Sequence, residues 1–109
     1  MVAHDQEKVS KLQMMEHNLQ ALDQQRQQMQ AQLFEIDSAI SALEGATSAY
    51  RIVGSVMVNA QPADVRKELQ QRKEVMEVRL QSIEKQEEKL RSSAKDLQDD
   101  VMKALKGDK

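Results

Sequence analysis

The sequence has no cysteine, which excludes disulfide bonds, cysteine-ligated zinc and thiol chemistry. It has one proline and three glycines, too few for the many turns of a multi-stranded protein. Tyr50 and Phe34 are its only aromatic residues, so the chain is not expected to build a compact globular core alone. No apolar run approaches the roughly 20 residues that a membrane-spanning helix needs. The first residues lack the basic and apolar regions of a secretion signal, which favours a cytoplasmic location.

The charges nearly cancel, because sixteen Lys and Arg stand against eighteen Asp and Glu for a net charge of −2. This balance predicts neither nucleic acid nor an anionic membrane surface as the main partner. Charged residues make up 31% of the chain and fifteen glutamines accompany them, a composition that favours long solvent-exposed helices.

Both halves of the chain carry the heptad pattern of a coiled coil, in which apolar residues recur at alternating spacings of four and three. In the first half, the a and d positions are Leu12, Met15, Leu19, Leu22, Arg26, Met29, Leu33, Ile36, Ile40 and Leu43. In the second half, they are Leu69, Lys73, Met76, Leu80, Ile83, Glu87, Leu90, Ala94, Leu97, Val101 and Ala104. Two antiparallel helices with these frames pair residues symmetrically about Gly54 and Ser55.

The segment between the two halves has a different character. Gly45 suits the end of a helix and Pro62 suits the first turn of the next one. Residues 49–59 are rich in β-branched side chains and are divided by Gly54-Ser55, a dipeptide typical of tight hairpin turns. We predict a mainly α fold: a long antiparallel two-helix coiled coil with a central β-hairpin. The helices are expected at about 5–45 and 63–106 and the hairpin at about 49–59, within one domain over 1–109.

A two-stranded hairpin is marginally stable in water, and both strands of this one carry apolar side chains. Strand edges of this kind are association surfaces. We therefore expect hairpins from several subunits to join into a shared sheet or barrel. Tyr50 either anchors the hairpin to a neighbouring subunit or packs on its own helix ends.

The hairpin segment Ala49-Tyr50-Arg51-Ile52-Val53-Gly54-Ser55-Val56-Met57-Val58 resembles the β class of prefoldin subunits, with its Tyr-basic-x-x-Gly core and following apolar strand. The segment from Arg79 to Lys89 is similar to the second helix of the archaeal subunits, where a Gln-Glu pair recurs. The plan of helix, one hairpin and helix matches along nearly the whole chain. Prefoldin α subunits have two hairpins, and apolar strand-like sequence is found here for only one.

This resemblance implies a co-chaperone that works without ATP. The assembly would be a heterohexamer of two α and four β subunits, whose hairpins form a double β-barrel. Coiled-coil tips would hold non-native polypeptides and pass them to a group II chaperonin. The residues expected to mediate oligomerisation are Tyr50, Ile52, Val53, Gly54, Val56, Met57 and Val58.

The expected tip has more apolar residues than a two-helix seam requires, and methionine suits the binding of many unrelated apolar segments. Four of these residues occupy seam positions and four lie off the seam. Seam packing with frayed ends and incidental surface residues is the alternative explanation. The candidate client-binding residues are Val9, Leu12, Met14, Met15, Leu97, Val101, Met102 and Leu105.

No arrangement of residues indicates catalysis, a metal site or a cofactor site. His4 and His17 have no third ligand at a suitable spacing, and the glycines form no phosphate-binding loop. Arg26 and Glu87 are close enough in register for an interhelical ion pair, although both side chains can instead leave the seam for solvent. A second hypothesis for function is a coiled-coil scaffold or tethering subunit without client-holding activity.

Overall fold

The computed structural model describes residues 2–107, and the side chains of residues 6–107. Helix α1 runs over Val2–Leu43, strand β1 over Ala49–Val53, strand β2 over Val56–Ala60 and helix α2 over Pro62–Gly107. The two strands pair antiparallel and α1 and α2 are joined through them. The predicted fold class, two long helices with a central β-hairpin, is confirmed. None of the helices in the described residues is long and apolar enough to cross a membrane.

The helix ends next to the hairpin are set by backbone chemistry. Gly45 has a φ of +72°, which side chains other than glycine rarely adopt, and the amide of Ala46 donates to the carbonyl of Leu43 at 3.2 Å. Helix α1 therefore ends at Leu43, slightly before the expected boundary. Helix α2 starts at Pro62, where the missing amide hydrogen costs nothing. The carbonyl of Gln61 accepts hydrogen bonds from the first free amides of this helix.

The hairpin turns over two residues, Gly54 and Ser55. Gly54 has a φ of +63° and Ser55 does not have a positive φ, the combination found in a type II′ turn. Val53 pairs with Val56, and the register continues outward to Ala49 with Ala60. The pairing is thus symmetric about Gly54 and Ser55, as the heptad frames predicted.

Burial follows the heptad seam along both helices. Every described residue at a predicted a or d position is buried or half-buried, and most of the other helical residues are exposed. Ile36, Met76 and Ala94 are the most buried apolar residues of the seam. The packed interior is therefore a narrow stripe, as the scarcity of aromatic residues requires.

The chain divides into two compact units. The end unit contains the residues up to 27 and those from 82 onward, and the hairpin unit contains residues 28–81. The predicted tip residues all belong to the end unit, whereas the β-hairpin and its flanking helical turns belong to the hairpin unit.

Candidate functional site

The hairpin presents almost all of its apolar side chains to solvent. Ile52 is 70% exposed, and the other large apolar residues of the two strands are exposed as well. Such a ribbon buries too little surface to be stable by itself. The exposed predicted residues are Tyr50, Ile52, Val53, Val56, Met57 and Val58.

Both faces of the hairpin are apolar. Because side chains alternate along a strand, Ile52 and its partner Met57 lie on one face, with Tyr50 beside them. Val53 and its partner Val56 lie on the other face, with Val58 beside them. A single covering layer would leave one of these faces in water, so the ribbon needs contacts on both sides.

The hairpin also has two free edges. In a two-residue hairpin the pair that closes the turn is hydrogen-bonded and the next pair is not, so Ile52 and Met57 point their backbone groups outward. Tyr50 and Asn59, two residues further along each strand, form the next pair whose backbone groups point outward. Outside the strand ladder, no backbone hydrogen bond between described residues satisfies these groups. Strands from other polypeptides can therefore add to both edges.

The hairpin is fixed to helix α2 within the hairpin unit. The guanidinium of Arg51 donates to the Glu68 carboxylate at 2.5 Å, and Ala49 at the base of β1 is buried. A cavity of about 290 Å³ lies between β1 and the first turns of α2. Its lining residues are Tyr50, Arg51, Ile52, Val65, Glu68, Leu69 and Arg72.

In the end unit, the predicted tip residues fall into two groups. The seam members are half-buried: Leu12, Met15, Leu97 and Val101. The off-seam members are exposed: Val9, Met14, Met102 and Leu105. The second group gives this unit apolar surface that the pairing of its helices does not use.

A groove of about 500 Å³ lies on one side of the seam in the end unit. Only Met15 of its lining residues was among the predicted tip residues. The groove exists because the side chains of Asn18, Ala21 and Ser93 are too short to cover the seam leucines. The small size of these three side chains is the feature of the sequence from which the groove could have been inferred. The lining residues are Met15, Asn18, Ala21, Leu22, Gln86, Lys89, Leu90 and Ser93.

The polar seam residues form ion pairs. Arg26 Nε lies 3.2 Å from Glu87 Oε1, which confirms the interhelical pair considered from the sequence. Arg26 also pairs with Asp23, and Arg91 lies 3.5 Å from the second oxygen of Glu87. The hydrogen bond to Asp23 is the main cause that raises the pKa of Arg26 above its ordinary value.

The hairpin unit has an equivalent arrangement around Lys73. Its Nζ lies 2.6 Å from Asp37 Oδ1 and 3.9 Å from Glu77 Oε1. The hydrogen bond with Asp37 raises the pKa of Lys73 above its ordinary value of 10.5. A raised lysine pKa contributes stability that is complete below the ordinary value and is lost as pH rises above it.

The described residues contain no group of three or more His, Asp or Glu side chains that could hold a metal ion. His17 is exposed on α1, and the side chain of His4 lies outside the described set.

Comparison with known proteins gives a consistent result. A model of the family described as "Prefoldin subunit" matches residues 6–108. The prefoldin subunit beta of Archaeoglobus fulgidus is 35% identical over 100 residues, covering 89% of this chain and 86% of that protein. That of Sulfurisphaera tokodaii is 34% identical over 103 residues, covering 92% and 82%. The crystal structure of the prefoldin beta subunit from Thermococcus strain KS-1 has a TM-score of 0.88 and 30% identity, covering 94% of this chain and 92% of that one.

Proposed function

The chain belongs to the prefoldin subunit family, in its β class, and from this premise we propose that it holds non-native polypeptides without ATP as one subunit of a hetero-oligomeric co-chaperone. The finer parts of the proposal are its assembly through the hairpin, client capture by the end unit and delivery to a group II chaperonin. The whole chain would act as one prefoldin-like domain, with prefoldin α subunits and further β copies as its partners in an α₂β₄ hexamer.

The observation that carries the assembly proposal is the uncovered hairpin. It has apolar side chains on both faces and free backbone groups on both edges. Strands added at the edges would satisfy the backbone groups, and a closed barrel would leave no edge exposed and cover the inner face. The outer face would be covered by other parts of the assembly. The same surface argues against a simple tether, which has no use for a β-ribbon that is unstable alone.

Client capture is supported by the apolar surplus of the end unit. Met14 and Leu105 are both more than half exposed although neither contributes to the seam. Flexible methionine side chains can adapt to clients of different shape. One such patch binds weakly, whereas several patches in one assembly bind a single client with an effective affinity higher by about 10²–10⁴.

Replacing two exposed end-unit residues by serine, Met14→Ser with Leu105→Ser, should strongly reduce the protection of a chemically unfolded enzyme. We expect the amount of protein that halves light scattering to rise at least about fivefold, because each loss is multiplied over several subunits. The mass of the assembly should not change, since neither residue lies in the hairpin. Removing residues 1–15 and 95–109 should abolish protection and likewise preserve assembly.

The matched control is Phe34→Ser with Val78→Ser in the hairpin unit. Val78 is 67% exposed, the same fraction as Met14, and Phe34 is also exposed. This variant removes comparable apolar surface and should protect the unfolded enzyme as well as the parent does. Equal loss in both variants, or full protection after the terminal truncation, would reject client capture by the end unit. Tight binding to folded partners without any protection would favour the scaffold function.

A further inference from the structure

Besides the groove of the end unit, there is a groove in the hairpin unit, and neither the pairing of the helices nor the pairing of the strands fills it. Its volume is about 550 Å³. It lies on the side of the seam that carries Gln32 of α1 and Arg72 and Arg79 of α2, which occupy g positions of the heptads. The ion pairs of Lys73 lie on the other side, where Asp37 and Glu77 occupy e positions. The lining residues are Met29, Gln32, Glu68, Gln71, Arg72, Val75, Met76 and Arg79.

Two arginines of this groove have no partner within the described part of the chain. Arg72 and Arg79 are exposed and make no hydrogen bond or ion pair with any described residue. The heptad register explains this. In an antiparallel pair the g positions of the two helices face each other, so Arg72 faces Ala39 and Arg79 faces Gln32. Neither of these residues offers a carboxylate, so the two positive charges remain available to another molecule.

The surface between the two arginines is apolar. Val75 is 52% exposed and lies between them on the same side of α2. Met29 and Met76 of the seam form the floor beneath it. The one acidic residue of the groove, Glu68, is already paired with Arg51 at 2.5 Å, which offsets its charge.

We propose that this groove binds an acidic and apolar polypeptide segment of a partner protein. The segment would place two carboxylates on Arg72 and Arg79 and an aliphatic side chain on Val75. The two arginines are seven positions apart on the helix, so the carboxylates would be about 10 Å apart. Exposed ion pairs contribute little individually, and binding through this groove therefore depends on the apolar contact together with both charges. The proposal uses no residue of the end unit and is independent of client capture there.

The test uses the full chain in the assembly it forms and a rhodamine-labelled peptide, Gly-Glu-Leu-Leu-Glu-Gly. In the polyproline II conformation, which has three residues per turn, the two glutamates lie on the same side of the peptide and are about 9 Å apart, at ~3.1 Å per residue. Fluorescence anisotropy should show binding that weakens about tenfold or more in the variant Arg72→Glu with Arg79→Glu. Arg72→Gln with Arg79→Gln, which removes both positive charges without adding negative ones, should also weaken binding. High salt should weaken binding to the parent protein and not to these variants.

The matched control is Arg66→Glu with Lys67→Glu, which changes the net charge equally at exposed α2 positions outside the groove. It should keep the parent affinity within about twofold, because distant surface charges are screened. Val75→Ser should weaken binding and Val78→Ser should not.

Three results would overturn the proposal. One is equal binding of a peptide with lysines in place of the glutamates, and another is unchanged affinity after both arginine substitutions. The third is a change in the mass of the assembly on substituting the arginines while peptide affinity stays constant. That result would assign the groove to another copy of the chain.

Discussion

A variant with Ile52→Lys and Val56→Lys is expected not to assemble at all and to have the mass of a single chain in solution, 12.4 kDa. The two substitutions place one charge on each face of the hairpin. Burying an unpaired ammonium group in an apolar interface costs several kcal/mol, and every copy of this chain in the assembly would incur this cost. Light scattering coupled to size-exclusion chromatography measures the mass directly.

The control for this variant is Met14→Lys with Val78→Lys. It adds the same charge at two positions that are equally exposed and lie outside the hairpin. Its assembly should have the parent mass, although client protection should fall because Met14 is a proposed client contact. If the hairpin variant keeps the parent mass, the hairpin is not the oligomerisation surface.

The hairpin and the seam could be predicted because their signals are local in the sequence. One heptad frame in each helix, with alternating spacings of three and four, identified most of the buried and half-buried positions. The β-branched run divided at Gly54 identified the strands, and the positive φ of Gly54 shows why a glycine is required there. The symmetric register followed from the two frames and the turn, without any knowledge of side-chain contacts.

The two grooves could not be predicted in this way. The groove of the end unit forms where short side chains of both helices, such as Asn18 and Ser93, meet on one side of the seam. The heptad pattern records only which residues are apolar at a and d. It does not record how far the neighbouring side chains reach, or that Lys73 turns toward Asp37 and leaves the other side of the seam open.

The ion pair in the seam should respond asymmetrically to removal of its two partners. The side chain of Glu87 is only 6% exposed, whereas that of Arg26 is 28% exposed and has Asp23 as a second partner. Arg26→Leu therefore leaves a buried carboxylate with the longer Arg91 contact alone. We expect this substitution to lower the thermal midpoint by about 10 °C.

Glu87→Leu should be far milder than Arg26→Leu. Arg26 keeps Asp23 and can extend toward solvent, and a leucine at position 87 suits a seam layer that contains Leu22. We expect a change in the thermal midpoint within about 4 °C. Circular dichroism at fixed protomer concentration measures both values, because the midpoint of an oligomer depends on concentration.

The double variant Arg26→Leu with Glu87→Leu distinguishes a stabilising ion pair from one that mainly sets the register. Replacing a buried ion pair by well-packed apolar residues commonly stabilises a protein, so the double variant should melt at least about 5 °C above the parent. The loss caused by Arg26→Leu alone would then arise from the orphaned carboxylate. A double variant that melts as low as Arg26→Leu would show instead that the ion pair stabilises the seam. If the double variant is more stable but forms assemblies of mixed mass, the retained charges serve to select a single alignment of the two helices.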